Sequence, residues 1–426
     1  MKEDFLHYVW KFQKFLHHRL KTVQGEPLHV TVVGFPNQHD GPDFLNAQVV
    51  IGSLKWAGSI ELHLKSSDWY RHQHHRDPAY DNVILHVVWE DDVEVCLEDG
   101  RSLPTLVLNT IVSPTLIKQF EQRLLSPANF IPCEKNIHTF PTSLFTLWKQ
   151  RLYIERLEEK SKGIQQLLKE EKNDWEAVLF MLLAQNFGLN VNGASFMAIA
   201  KSIPFKIIRK LQQSAFSLEA LFLGQAGLLK ADHALIYVRD LWKEFLFIQR
   251  KFSLPQHQGQ SMRFKRLRPY NFPTIRLVQL AQLYANTTSV FSRIFQGDQL
   301  STQWMKSSGV SPFWETHYTF DRSAKKSRKS LTSSFIDLLT INTFIPLYFC
   351  FQKAKGWDPS DKVIHLMQSI KPEKNTVVQS FHALEVEVTS ALDTQALLQL
   401  KKAHCSLKKC LLCPVGVYLL HPTAKQ

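Results

Sequence analysis

The chain changes its sequence pattern once, and this change constrains the fold more than any other feature. Between residues 28 and 109, short β-rich runs alternate with turn signals such as NQHDGPD and EDG. From about residue 143 to about residue 400 the pattern is mostly helical. An amphipathic segment at 5–21 predicts a helix in front of the sheet. The sequence therefore predicts an α+β protein, with an N-terminal mixed β-sheet domain and flanking helices followed by a large, mostly α-helical domain.

We expect an α+β domain at 1–140, an α-helical domain at 141–400 and a cysteine-containing tail at 401–426. The chain has 426 residues, of which 44% are hydrophobic, so it can bury more than one core. No apolar run of roughly 18 residues stands out as a membrane helix. The N-terminus MKEDFLHYVW lacks the basic and then apolar order of a signal peptide. These features predict a cytoplasmic protein with no membrane partner.

The charge balance favours a polyanionic partner. There are 51 Lys and Arg against 38 Asp and Glu, a net charge of +13. Nucleic acid is the first candidate, and a merely solvated basic surface is the alternative. The segment 264–276 interleaves basic and aromatic residues, which suits backbone contacts and base stacking, although it also suits a loop that caps a helix at 274–286. The candidate nucleic-acid-binding residues are Lys265, Arg266, Arg268, Tyr270 and Arg276.

The densest chemistry lies in one predicted strand and the turn before it. Side chains alternate along a strand, so Glu61, His63 and Lys65 share one face. Three ionisable groups in a row are costly to bury unless they bind something. Asp43 begins the preceding strand, and carboxylates are ligands for Mg²⁺ or Mn²⁺. We predict that Asp43 and Glu61 hold the metal. His63 would be a ligand or general base, and Lys65 would assist the attacking water.

A second cluster of potential ligands follows this strand. It comprises Asp68, His72, His74, His75, Asp77 and His86. Imidazoles and carboxylates together suit Zn, Mn or Fe, but the spacing matches no familiar metal motif. Any single histidine could equally be a surface or hydrogen-bonded core residue. Asp68 could cap a helix that begins at Trp69.

Three of the six cysteines, Cys405, Cys410 and Cys413, lie within nine residues of one another. Three thiolates leave one ligand missing from the four that Zn or a 4Fe–4S cluster needs. Cys133, in a proline-containing loop after the sheet region, is the best candidate for the fourth. We predict a metal site that joins the tail to this loop, with unpaired or redox thiols as the alternative.

Pro42-Asp43, followed by Glu61 and Lys65 on a strand, resembles the PD-(D/E)xK nuclease superfamily. The resemblance implies a restriction-endonuclease-like fold and metal-dependent cleavage of phosphodiester bonds. His63 stands where the superfamily has its second acid, and an imidazole there shifts the metal preference toward Mn²⁺ or another transition metal. The lone cysteine and the C-terminal trio are similar to the iron–sulfur staple of certain nucleases in that superfamily.

Nearly the full length also resembles a family of uncharacterised bacterial proteins that share a domain of unknown function (DUF2851-like). The residues that carry this resemblance are GPDF (41–44), 61–88, RPYNFPTIR (268–276), INTFIP (341–346) and the CSLKKCLLCPVG tail (405–416). This family implies no activity. The leading hypothesis is a metal-dependent nuclease or nucleic-acid-processing protein. The alternatives are a non-catalytic nucleic-acid-binding or scaffold protein with a structural Cys-metal site, and a His/Asp metallohydrolase of small substrates.

Overall fold

The computed structural model describes residues 3–37, 40–121, 130–255, 262–295, 300 and 302–420. The chain forms two compact units. The sheet unit comprises residues 1–149, 374–387 and 397–426, and the helical unit comprises 150–373 and 388–396. The three cysteines of the tail and Cys133 therefore lie in the same unit as the candidate strands.

A six-stranded mixed sheet organises the sheet unit. Its strands are β1 (Leu28–Val32), β2 (Phe35–Pro36), β3 (Phe44–Ile51), β4 (Leu54–Lys65), β5 (Val83–Glu90) and β6 (Thr105–Val107). The order is β1-β3-β4-β5-β6, with β2 also paired to β3. β3 is antiparallel to β1 and β4, whereas β5 runs parallel to β4 and β6 parallel to β5. The predicted α+β class and mixed sheet are confirmed.

The helix in front of the sheet is shorter than the predicted segment 5–21. Helix α1 spans Glu3–Lys11. Gln13 then adopts a left-handed backbone conformation with φ of 49°, which ends the helical hydrogen-bond ladder. Phe15 continues as extended chain and bridges to Val112. Phe15 and Leu20 pack in the core of the sheet unit, whereas Phe12 and Leu16 are exposed. The predicted helix was therefore wrong over its second half.

The connection from β4 to β5 positions much of the second histidine cluster. Parallel neighbouring strands need a crossover, and here residues 66–82 form it from short helical turns. These are α2 (Asp68–Arg71) and the 3₁₀ turns His74–Arg76 and Pro78–Tyr80. The compact crossover brings His72 and His74 back beside β4.

The remaining helices of the described chain are mostly in the helical unit. They are α3 (Pro114–Phe120), α4 (Thr142–Glu170), α5 (Trp175–Phe187), α6 (Leu189–Ser202), α7 (Phe205–Leu211), α8 (Ala215–Gln225), α9 (Ile236–Lys251), α10 (Pro273–Ala285), α11 (Val290–Ile294), α12 (Pro312–Glu315), α13 (Ser333–Leu339), α14 (Ile345–Ala354), α15 (Ser360–Ser369), α16 (Thr376–His382), α17 (Ala391–Gln399) and α18 (Pro414–Leu420). A two-stranded ribbon, β7 (His317–Thr319) and β8 (Arg322–Ser323), completes the helical unit.

One helical segment corrects the expectation about apolar runs. Helices α13 and α14 are joined by a π-helical turn at Thr340–Phe344. The resulting segment Ser333–Ala354 has 22 residues and a mean hydropathy of 1.5 in its most apolar window, enough by length and composition to cross a membrane. Scattered Thr and Asn residues hid this in the sequence. Of that window 72% is buried inside the structure, as in the core helix of a globular unit.

Candidate metal centre

Two carboxylates are fixed against each other where β3 begins beside β4. The backbone N–H of Asp43 donates to Glu61 Oε2 at 3.0 Å. In return, Asp43 Oδ2 accepts the backbone N–H of Leu62 at 3.0 Å. The register of β3 and β4 shifts between Phe44 and Ala47, so this end of the pair is irregular. The reciprocal bonds place an acid at the start of one strand beside an acid on the next.

Histidines from both predicted clusters surround Glu61. His63 Nδ1 lies 2.8 Å from His86 Nε2, and His63 Nε2 lies 3.1 Å from His72 Nδ1. Glu61 Oε1 lies 3.4 Å from His74 Nε2 and 3.6 Å from His63 Nε2. One nitrogen from each of His63, His72 and His74 lies within 4.8 Å of the other two. We call Glu61, His63, His72 and His74 the histidine–carboxylate centre.

Burial controls the charge of this centre. Burial first, and then the neighbouring imidazoles of His86, His74 and His72, lower the pKa of His63 to about 2. Burial also lowers the pKa of His86 to about 3. The pKa of Glu61 is raised by burial and by the Asp43 carboxylate, against the hydrogen bond from His74. Neutral imidazoles are the form that binds metals.

Aromatic side chains hold the histidines in place. The ring of Tyr80 stacks on His74 with a centroid separation of 3.8 Å, and Trp69 meets the edge of His74 at 5.5 Å. His86 is fully buried, and its Nδ1 has no hydrogen-bond partner within the described residues. Fixed rings of this kind preorganise donor atoms for a ligand.

The sequence reasoning missed His7 on α1. Its Nε2 lies 3.3 Å from Asp43 Oδ2, and the two side chains are 37% and 25% exposed. Burial lowers the pKa of His7, but the hydrogen bond to Asp43 and the nearby acids outweigh it, so the pKa is raised. The available signal was one polar residue inside the apolar run FLHYVW. His7 and Asp43 form the solvent-facing side of the site.

Lys65 does not join the centre. Its Nζ lies 3.7 Å from Glu90 and 3.9 Å from Asp92, and its side chain is 51% exposed. Strand alternation places Lys65 on the face of Glu61 and His63, but acids near the end of β5 pair with its ammonium group. These ion pairs do not favour the predicted role of Lys65 in assisting water.

Three further members of the second cluster serve local structure instead. Asp68 accepts the backbone N–H of Lys65 at 3.2 Å and pairs with Arg71 at 2.8 Å. It begins α2 itself, after the N-cap Ser67, so its expected capping role was wrong. Asp77 accepts the N–H of Ala79 at 2.9 Å and caps a 3₁₀ turn. His75 packs on the ring of Tyr70 with a centroid separation of 5.2 Å.

The basic segment of the helical unit divides into a surface part and a buried residue. Lys265, Arg266, Arg268 and Tyr270 are exposed. Arg276 is only 7% exposed, and its guanidinium donates to Gln279 at 2.9 Å and to Asn271 at 2.7 Å. It also lies 3.6 Å from the ring centroid of Phe335. Because α10 turns Arg276 inward, the predicted contact with nucleic acid does not suit this residue.

The four cysteines share one electrostatic neighbourhood in the sheet unit. Burial first, and then the charges of Cys413 and Cys410, raise the pKa of Cys133 to about 12. Burial and then Cys133, Cys413 and Cys410 raise the pKa of Cys405. Gly416 lies against the carbonyl of Cys410, where a Cβ would sit 2.1 Å from the oxygen. The tail is therefore tightly folded around these thiols.

The family described as "Protein of unknown function (DUF2851)" has a model that matches residues 3–376. The matched range contains the histidine–carboxylate centre, Cys133 and the basic segment, whereas the three cysteines of the tail lie beyond it. No curated protein and no solved structure matches the chain. The match covers most of the 426 residues, and the chain belongs to the DUF2851 family.

Proposed function

We propose that the protein is a metal-dependent hydrolase that cleaves phosphodiester bonds in nucleic acid. The observation that carries the proposal is the convergence of three imidazole nitrogens within 4.8 Å of one another, beside the Glu61 carboxylate. His63 is buried and neutral, and an ion that binds its lone pair would offset the cost of burying that polar ring beside His72 and His74. The two clusters that the sequence separates thus supply one site.

The donor set favours a transition metal. Three nitrogens and one carboxylate oxygen suit Zn²⁺, Mn²⁺ or Fe²⁺ better than Mg²⁺, which prefers oxygen ligands and water. Such an ion would supply Lewis-acid chemistry, by neutralising charge on the phosphate and activating water. Glu61, His63, His72 and His74 would hold it. His86 would orient His63 through their 2.8 Å contact.

Asp43 and His7 are the residues that substrate would meet first. Asp43 is fixed to Glu61 through its backbone, yet its side chain remains 25% exposed. Its carboxylate can accept a proton from water, while His7, 3.3 Å away, fixes its orientation. The net charge of +13 and the exposed Lys265, Arg266 and Arg268 support a polyanionic substrate.

Metal content and cleavage together test this proposal. The histidine–carboxylate centre should hold about one equivalent of transition metal, so the purified His72→Ala variant should contain about one equivalent less than wild type. Asp43→Asn should keep the metal, bind nucleic acid and cleave at least about 100-fold more slowly. His382→Ala, an exposed histidine of the same unit, is the control. Equal metal content in wild type and His72→Ala, or an Asp43→Asn variant that cleaves normally, would refute the proposal.

The cysteines support a second, structural metal site, which we also propose. Burial and the neighbouring thiols raise the pKa of Cys133 and Cys405, so these two would form thiolates readily only beside a cation. Zn²⁺ or a 4Fe–4S cluster would fit four thiolates. Cys410→Ser should lose this metal, measured as zinc or as iron with sulfide, and leave metal at the histidine–carboxylate centre. If only the cysteine site binds metal, the protein is better described as a non-catalytic nucleic-acid-binding protein.

A further inference from the structure

A groove opens at one end of the sheet, between the segment 18–27 and the end strand β6. Its volume is about 630 Å³, and ligand-binding sites typically have roughly 300–1,000 Å³. The lining residues that matter below are Arg19, Leu20, Lys21, Leu106, Thr110 and Ile111. We call this cavity the β6 groove.

Main-chain hydrogen bonds fix one wall of the β6 groove at both ends. The backbone N–H of Leu16 donates to the carbonyl of Ile111 at 3.0 Å, and the N–H of Val23 donates to the carbonyl of Thr105 at 2.8 Å. Between these bonds the chain forms a 3₁₀ turn at His17–Arg19. The groove is the space that this turn leaves beside β6, so it is a built feature of the fold.

The groove has an apolar floor and a basic rim. Leu20, Leu106 and Ile111 are each at most 6% exposed and form the floor. Arg19 and Lys21 are exposed at the rim. Cations above an apolar floor suit a ligand that carries both negative charge and an apolar part.

The positive charge of the rim is not neutralised within the described structure. Neither Arg19 nor Lys21 forms an ion pair with another described residue, and no described residue that lines the groove is acidic. Glu26 is the acid closest in sequence, but its carboxylate lies against the turn between β3 and β4, where Oε1 is 3.5 Å from the place that a Cβ on Gly52 would take. The β6 groove therefore attracts anions.

The groove and the histidine–carboxylate centre belong to one sheet. Val107 lines the groove and pairs with Val88 on β5, and Val88 pairs with His63 on β4. Neighbouring strands are about 4.8 Å apart, so the backbone of Val107 lies roughly 10 Å from that of His63. One polyanionic chain can therefore reach both places.

We propose that the β6 groove binds a single strand of nucleic acid, with phosphates beside Arg19 and Lys21 and a base against the apolar floor. Such binding combines backbone contacts with apolar contacts that tolerate any sequence. A double helix keeps its bases stacked inside and would leave the floor uncovered. The inference rests on the proposed function, because the groove would hold the substrate of the histidine–carboxylate centre.

The experiment measures the fluorescence anisotropy of labelled single-stranded DNA, and separately of RNA, about ten nucleotides long, on titration with the full-length protein. Phosphorothioate linkages make both strands resistant to hydrolysis, so binding is measured without removing metal. Arg19→Met and Lys21→Met should each weaken binding about threefold or more. Each should also reduce the slope of log affinity against log salt concentration by about 0.7, the value for one phosphate contact on a single strand.

A charge placed in the groove gives an independent test. Thr110 is exposed at the rim, so its replacement should leave the fold intact. Thr110→Glu should weaken binding about fivefold or more by repelling phosphate, whereas Thr110→Gln, its neutral counterpart, should bind as wild type does. Lys55→Met removes an exposed lysine of β4 that does not line the groove and should also bind normally.

Cleavage of an unmodified strand separates this inference from the proposed function. If the groove variants bind more weakly but wild type cleaves nothing, nucleic acid still binds in the groove, and only the hydrolase activity is refuted. If wild type binds neither strand, or if Arg19→Met, Lys21→Met and Thr110→Glu all keep wild-type affinity, the inference is overturned. Polyglutamate that competes as well as an unlabelled strand would overturn the assignment to nucleic acid. Circular dichroism of each variant checks its fold.

Discussion

The sheet unit and the helical unit bury ionisable groups in opposite ways. In the helical unit, Glu219 is 1% exposed, and its carboxylate accepts hydrogen bonds from Trp314 at 2.6 Å, from Ser311 at 2.9 Å and from the Tyr237 hydroxyl. In the sheet unit, the imidazoles of the histidine–carboxylate centre face one another instead. His86 Nδ1 even lacks a hydrogen-bond partner among the described residues.

This difference is the one we expect between a group that stabilises the fold and a group that binds a ligand. Three side-chain donors of the protein reach the Glu219 carboxylate, and although burial still raises its pKa, its hydrogen bonds come from within the helical unit. Clustered imidazoles satisfy one another poorly, since each neutral ring brings one donor and one acceptor, and they gain most when a cation arrives. A cluster of similar groups is thus a better indication of a ligand than a buried charge is.

The largest effect on stability should come from replacing Glu219. Glu219→Ala leaves the donors of Trp314, Ser311 and Tyr237 without their acceptor. We expect it to destabilise the helical unit by about 3 kcal/mol, because removing one partner of a buried charged network strands the others. Thermal unfolding followed by circular dichroism measures the change in Tm.

Glu170→Ala is the matched control for this prediction. Glu170 lies in the same unit and pairs with Lys201 at 2.8 Å, but both side chains are more than 40% exposed. An exposed ion pair contributes about 1 kcal/mol or less. Equal changes in Tm for the two variants would mean that the network around Glu219 is not what distinguishes the helical unit.

A medium effect should come from the pH dependence of stability that the buried amine of Lys160 causes. The pKa of Lys160 is about 7 in the folded protein, against 10.5 for an ordinary lysine. Between these values the unfolded chain binds the additional proton, so stability rises with pH across that window. The slope is at most about 1.4 kcal/mol per pH unit for one proton. Lys160→Met should remove this gain in Tm between pH 7 and 10, relative to wild type.

A parallel series with Lys162→Met sharpens the result. Lys162 is exposed on the same helix, so its replacement should leave the pH dependence of Tm unchanged. If wild type and Lys160→Met respond identically to pH, then the Lys160 amine is solvated in the folded protein.

Sequence patterns predicted much of the sheet unit because its chemistry is local. Period-two alternation placed Glu61 and His63 on one face, and the sheet order confirms the mixed α+β architecture. The alternation pattern does not predict contacts between elements that are distant in the sequence. His7 meets Asp43 only because α1 docks on the sheet, and the acids that pair with Lys65 come from the end of the neighbouring strand.

Burial in the helical unit was also hard to predict from the sequence, because it depends on contacts between distant elements. Arg276 stands in a basic and aromatic segment that resembles a nucleic-acid-binding surface, yet its position on α10 turns it toward Phe335. Whether a cation lies inside or outside depends on which helix face packs, and a short Pro-broken segment does not reveal that face. Exposure of Lys265 and Arg268 beside a buried Arg276 shows how closely the two cases resemble each other in sequence.

The smallest effect should come from Lys65, although it lies on the same strand as the site. Its ion pairs with Glu90 and Asp92 are long and half-exposed, so Lys65→Met should change stability by less than about 1 kcal/mol. We expect the cleavage rate to change less than about threefold, since the ammonium group points to acids outside the histidine–carboxylate centre. Lys55→Met, an exposed lysine of the same strand, is the control. If Lys65→Met cleaves about 100-fold more slowly and Lys55→Met does not, then Lys65 takes part in the reaction, because general acid–base groups contribute effects of that size. That outcome would also mean that substrate draws Lys65 away from its two acids, and the centre would then extend to the end of β4.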